Sequence, residues 1–166
     1  MFNSSKYYYD TKIINNTIII AGVGRSGTTL LAETINYDNK FRLMFEPFHK
    51  YKVKTLSEMN YRLYISPLNN NEKLKEEYSK ILSGDIRNKW VDQYNKKYFC
   101  VKRIIKEIRI NQSLKWIKLN FPEIPIVYIV RHPCAVTLSK LRLDWDDHLF
   151  EYMGQIELVN DHLKPY

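Results

Sequence analysis

Short apolar runs alternate with polar, helix-period stretches along the chain. Thr17 to Val23 is a continuous run of β-branched residues that ends at glycine, and it predicts a buried strand. Thr28 to Asn36 then predicts a helix, and Arg42 to Phe45 a short second strand. Asn69 to Leu82 is polar and predicted helical from Glu72, with Gly84 as the stop. Ile86 to Tyr94 reads as another helix, and Phe99-Cys100-Val101 as a short strand. Asn111 reads as the N-cap of a helix over Gln112 to Asn120. Ile126 to Val130 is a second fully apolar strand, Pro133 opens the next helix, and Asp147 to Leu163 reads as a final amphipathic helix. Strands alternating with helices imply α/β architecture: a three-layer parallel sheet with helices on both faces. No repeat interrupts the pattern. The expectation is one domain over residues 1–166, with residues 1–12 a flexible tail.

Composition adds little beyond a globular class. The chain has 166 residues, 26 Lys+Arg against 18 Asp+Glu, and a net charge of +8. That charge suits anionic ligands, and it is equally the by-product of a Lys-, Asn- and Ile-rich composition. No stretch resembles a nucleic-acid module, so no nucleic-acid partner is expected. The longest apolar run, Ile18 to Val23, is far short of the roughly 20 residues of a spanning helix. Met1 to Asp10 is polar and tyrosine-rich, without the order of a signal peptide, so a cytoplasmic location is expected. Cys100 and Cys134 are too few for a disulfide framework and read as small core residues. His49, His132, His148 and His162 are scattered, and no metal site is expected.

Two segments carry chemistry. In Gly22-Val23-Gly24-Arg25-Ser26-Gly27-Thr28-Thr29, a strand turns into a helix through glycines that let backbone N–H groups approach an anion. Arg25 adds a planar cation, and Ser26, Thr28 and Thr29 add hydroxyls. The spacing from Gly22 to Gly27 fits the nucleotide-triphosphatase loop, but Thr28 stands where its lysine would be. The second segment runs from Val130-Arg131-His132-Pro133 to Ser139. Arg131 lies at a strand's carboxyl end, where open α/β sheets bind ligands, and Ser139 lies two turns along the following helix. An acidic, magnesium-holding residue would be expected at that strand end in a triphosphatase. Alone, the pair also fits an arginine bound to a carboxylate and a serine bonded within its own helix.

Together these segments resemble the sulfotransferases that use 3′-phosphoadenosine 5′-phosphosulfate (PAPS). Their first motif, R/K-S-G-T-T, matches Arg25-Ser26-Gly27-Thr28-Thr29, and their second has Arg and Ser spaced as Arg131 and Ser139 are. R-S-G-T-T-L-L, then E-P, then V-R-H-P-x-A-V-x-x-S is closest to bacterial and carbohydrate-type members. Val101-Lys102-Arg103 and Phe121-Pro122 also look like that group, and the likeness runs from about Ile18 to Trp145. It implies a P-loop-like sulfotransferase fold and PAPS as co-substrate. The donor would be held by Gly24, Arg25, Ser26, Gly27, Thr28 and Thr29 at the 5′-phosphosulfate, and by Arg131 and Ser139 at the 3′-phosphate. It implies Glu46, in its E-P context, as base, with His49 as the rival. Arg25 would stabilise charge, and Lys102, read as ending the third strand, would sit near the sulfuryl group. Arg142 and Trp145 either close over the nucleotide or belong to helix surface and core. Lys50, Lys52 and Lys54 either meet an acidic acceptor or are a solvated loop. The acceptor is expected to be a carbohydrate or other small metabolite, with lipid, small alcohol and peptide tyrosine also open. The alternatives are a P-loop nucleotide or small-molecule kinase and a non-catalytic nucleotide-binding remnant. The chain also reads as C-terminally short, since it stops at Tyr166 without the cytosolic group's later glycine-and-lysine motif.

Overall fold

The structure is a computed structural model that describes residues 9–53, 62–145 and 149–164. In chain order the elements are β1 (Tyr9–Asp10), β2 (Thr17–Gly22), α1 (Thr28–Ile35), β3 (Phe41–Phe45), α2 (Glu72–Leu82), β4 (Phe99–Cys100) and β5 (Lys102–Glu107). They continue as α3 (Leu114–Asn120), β6 (Ile126–Ile129), α4 (Pro133–Leu141), α5 (Leu149–Met153) and α6 (Ile156–Leu158). Four strands form one parallel sheet in the order β3-β5-β2-β6, and β1 pairs with β4 in a small parallel ribbon.

Alternation along the strands builds the layers. Ile19, Ala21, Met44 and Ile105 face Tyr78, Ile81 and Leu82 of α2 and Trp116 and Ile117 of α3. Ile20, Leu43 and Ile104 face the opposite way, toward Ala32 and Leu31 of α1. Helices therefore cover both faces of the sheet, as the alternation of elements predicts. Helix α2 begins where Asn71 caps it, its Oδ1 accepting from Leu74 N at 3.1 Å. Beyond its end lies Gly84 at φ +78°, where a Cβ would stand 2.5 Å from Asp10 Oδ2. Only glycine fits there.

Several expectations fail, each for a tertiary reason. The strand at Phe99 does not end at Lys102: β5 starts there and lies between β3 and β2. Its charged sequence hides it, because Arg103, Lys106 and Glu107 are all buried and all bonded. Residues 86–88 are irregular and residues 89–94 are turns, rather than a helix. That stretch serves as acceptor for Arg42, through the Ile86 carbonyl and the Asp92 carboxylate at 2.9 Å. Asn111 does not cap a helix; its amide donates to Gly22 O at 3.3 Å and Ile108 O at 3.2 Å, and a short 3₁₀ turn precedes α3.

The last segment is interrupted, not continuous. The break falls at Gly154 and Gln155, whose side chain turns inward to accept from Tyr64 N at 2.6 Å. Strand β6 is an edge strand with Val127 and Tyr128 exposed. Cys100 is buried as expected, whereas Cys134 is exposed. The expected tail includes Asp10, which is buried between Arg42 (Nη1 at 2.8 Å) and Arg103 (Nη2 at 2.9 Å); residues 1–8 lie outside the described part. Among the described residues no helix is long and apolar enough to cross a membrane.

Candidate functional site

The turn from β2 into α1 is set by close packing. A Cβ on Gly22 would stand 2.8 Å from Ile129 O, so glycine lets β6 come in beside the loop. Gly27 enters α1 at φ +102°, and Arg25 takes φ +71°. The first helical bond runs from Leu31 N to Gly27 O, which leaves the amides before Leu31 without helical acceptors. Ser26 Oγ is buried with no partner among the described residues. Free amides, a helix N-terminus, an unsatisfied hydroxyl and Arg25 make a cradle that suits a phosphate-like anion.

The second segment closes on the first. Arg131 Nη1 donates to the Arg25 carbonyl at 3.0 Å, and Arg25 Nε donates to Ser139 Oγ at 3.0 Å. Residues more than a hundred positions apart thus meet at the carboxyl end of the sheet. Trp145 completes the wall. Its ring carbons lie 3.3 Å from where a Gly24 Cβ would be, so the ring rests on the loop and not in the core. The cavity between these parts measures about 360 Å³ and is lined by Gly24, Thr28, Arg131 and Trp145, with Glu46 and Lys106 opposite.

Glu46 follows β3 in a left-handed conformation, φ +46°, which disfavours any residue but glycine. Its backbone is held by bonds to Lys106 O (2.8 Å) and from His49 N (3.2 Å). Its carboxylate takes Lys106 Nζ at 2.5 Å and Arg109 Nη1 at 2.6 Å, and the residue is 6% exposed. Burial alone would push this carboxyl up, but Arg109 and Lys106 outweigh it and hold it below the usual range. Glu107 braces both loops: Oε2 accepts from Phe48 N, and Oε1 accepts from Ile108 N and Arg109 N. Burial pushes the Glu107 carboxyl up.

The structure brings together Gly24, Arg25, Ser26, Gly27, Thr28, Thr29, Glu46, Arg131 and Ser139. It leaves Lys102 apart. Lys102 pairs with Phe41 at the start of its strand, four residues before Lys106 and so about 13 Å from the cavity end. Lys106 occupies the strand end that Lys102 was expected to hold. Lys106 and Arg109 are the functional candidates that sequence reasoning missed. The one available signal was the reach of the apolar pair Ile104-Ile105, which extends the strand to Glu107.

His49 packs its ring edge-on to Trp90, centroids 5.3 Å apart. Lys52 lies over the same Trp90 ring, Lys50 lies over Tyr51, and Lys54 is outside the described residues. Burial, then Arg109, pushes the His49 ring down from 6.5 to about 4. The unfolded chain therefore binds more protons between those values. The ring's contribution to stability is whole above pH 6.5 and is lost as the pH falls toward 4. A His49→Phe variant should lose Tm less steeply than the parent across that window. Parallel Tm curves would refute the assignment.

The model of the Sulfotransferase family matches residues 17–164, which takes in both loop segments of the candidate site and Glu46. Compared with the curated proteins and with the solved structures, the chain finds no match. A matched span of that length, on a parallel sheet whose carboxyl edge carries this cradle, makes the conclusion plain: the chain belongs to the sulfotransferase family.

Proposed function

We propose that the chain transfers a sulfuryl group from PAPS to a hydroxyl or amine of a small acceptor. The observation that carries this reading is the meeting of Arg25, Ser139 and Arg131 beside a cavity that also holds Glu46 and Lys106. The loop amides, Ser26, Thr28, Thr29 and Arg25 bind the 5′-phosphosulfate, and Arg131 with Ser139 binds the 3′-phosphate. The acceptor oxygen attacks sulfur, the bond from sulfur to the bridging oxygen breaks, and its electron pair leaves on the 5′-phosphate. Arg25 stabilises that charge, and Glu46 takes the acceptor's proton. Lys106, not Lys102, stands by the sulfuryl oxygens. An anionic sulfuryl group beside Lys106 competes with Glu46 for the ammonium, so donor binding frees the carboxylate to act as base. His49 is the weaker candidate, since its ring is packed against Trp90 and already pushed down to about 4. The two free thiols, Cys100 and Cys134, accord with a cytoplasmic location.

Calorimetry with 3′-phosphoadenosine 5′-phosphate (PAP) tests the donor site, with AMP as control. PAP should bind and AMP should bind far more weakly. Arg131→Ala should weaken PAP by about 10- to 100-fold, the effect of losing hydrogen bonds to a charged phosphate. Equal affinity for PAP and AMP, or no effect of the substitution, would overturn the reading.

A further inference from the structure

Two cations hold the Glu46 carboxylate, and they stand in different places. Lys106, Ile108 and Glu46 are among the described residues that line the cavity, and Arg109 is not. Arg109 Nη1 nevertheless lies 2.6 Å from Glu46 Oε2. Lys106 therefore meets Glu46 from the cavity side, and Arg109 meets it from behind the wall.

Arg109 is gripped in turn by Glu107. Oε1 of Glu107 accepts from Arg109 N at 3.1 Å and from Arg109 Nη1 at 3.4 Å, so one oxygen fixes both backbone and guanidinium. Oε2 accepts from Phe48 N at 2.8 Å, two residues past Glu46. Glu107 is 0% exposed, and all these bonds run into its oxygens, the pattern of an ionised carboxylate.

Charge balance gives this arrangement its point. The Glu46 carboxylate offsets two buried cations. In sulfuryl transfer, Lys106 turns to the anionic sulfuryl group while the acceptor's proton reaches Glu46. Arg109 then keeps Glu107 as its counter-ion; a buried guanidinium without one is strongly destabilising. Glu46 also needs holding, because its φ of +46° persists only where neighbours impose it. Once Lys106 is drawn away, Arg109 still grips the carboxylate.

We infer that Arg109, backed by Glu107, is a positioning residue: it keeps the Glu46 carboxylate aimed when Lys106 turns to an anion in the cavity, and its own charge stays balanced when Glu46 takes up a proton. The role in turnover rests on the sulfuryl-transfer reading; the hold on Glu46 does not. The other charged or titratable groups facing this cluster are His49 on the Glu46 loop, Arg25 and Arg131 across the cavity, and Tyr78 of α2 beside Glu107. None of them is altered in the variants below.

Carbon NMR of glutamate-labelled protein reads Glu46 directly, with Glu46→Gln as the assignment control. Arg109→Gln should raise the Glu46 titration by about one to three pH units, the effect of removing a cation at this distance. Arg109→Lys keeps the charge but loses the planar fork, and should leave the titration near the parent's. Turnover is read as hydrolysis of PAPS to PAP, with water as the acceptor. Both variants should slow it about 10- to 100-fold at a pH where Glu46 is ionised, with PAP affinity within about twofold of the parent, as a misaimed base would. An unmoved titration in Arg109→Gln overturns the inference. So does a parental rate in both variants, or a loss of PAP affinity in step with the rate, which marks a merely structural residue. If Arg109→Gln fails to fold, Arg109→Lys decides: a slowed rate with the titration kept supports the role, and a parental rate overturns it. If PAP does not bind the parent, the sulfuryl-transfer reading falls, and the shifted titration alone sustains the hold of Arg109 on Glu46.

Discussion

Replacing Glu46 with Gln should lower turnover by about 10²- to 10⁴-fold, the range for loss of a positioned general base. The substitution keeps the size of the side chain and one oxygen acceptor. It removes the negative charge that Lys106 Nζ and Arg109 Nη1 share at 2.5 and 2.6 Å. PAP affinity should stay within about twofold of the parent or rise, because an unpaired Lys106 favours an anion in the cavity. A structural role alone would instead lower Tm and PAP affinity together. Single-turnover sulfation with saturating PAPS separates these cases. An active Glu46→Gln protein would remove Glu46 as base and return attention to His49.

Asp10→Ala should destabilise the fold by about 3–5 kcal/mol, the usual penalty for breaking a buried ion pair from one side. Asp10 bonds Arg42 through Oδ2 at 2.8 Å and Arg103 through Oδ1 at 2.9 Å. Both arginines are 0% exposed, so water cannot replace the lost carboxylate. Asp92 remains on Arg42, and Ile13 O, Leu82 O and Thr17 Oγ1 remain on Arg103. All three accept from Arg103 Nη1, so its Nε and Nη2 lose the carboxylate they donate to, and one buried positive charge goes uncompensated. For a chain of this size the loss is a fall in Tm of roughly 6–20 °C. Burial would push the Asp10 carboxyl up, but Arg103 and Arg42 hold it below its ordinary value of 3.8. Its stabilising effect is therefore whole at neutral pH and lost as the pH falls below about 4. Urea melts at pH 7 measure the difference; a change under about 1 kcal/mol would mean that the remaining acceptors suffice.

The candidate anion cradle was legible in the sequence because its chemistry is local. Gly22 to Thr29 carries turn, cation and hydroxyls within eight residues, and Arg131 to Ser139 needs only a strand end and two helical turns. Helix α2 was legible for the same reason, with its cap at Asn71 and its stop at Gly84. Strand β5 was not. A charge in a strand reads as solvent-facing, and what buries Arg103, Lys106 and Glu107 are partners 93, 60 and 59 positions away, or backbone amides of another loop. Misplacing that strand's end moved the expected lysine from position 106 to 102. Asp10 was lost to the tail by the same blindness: nothing near it in sequence marks it as the counter-ion of two buried arginines.

The sheet order β3-β5-β2-β6 also bears on how the chain acquires structure during synthesis. Strands β2 and β3 are made first, yet they are not neighbours; each pairs with β5. No strand of the main sheet can find its partner until residue 107 of 166 has left the ribosome. The isoleucines of β2 wait through all of that time, and a nascent chain paused near residue 100 presents them to chaperones or to other chains.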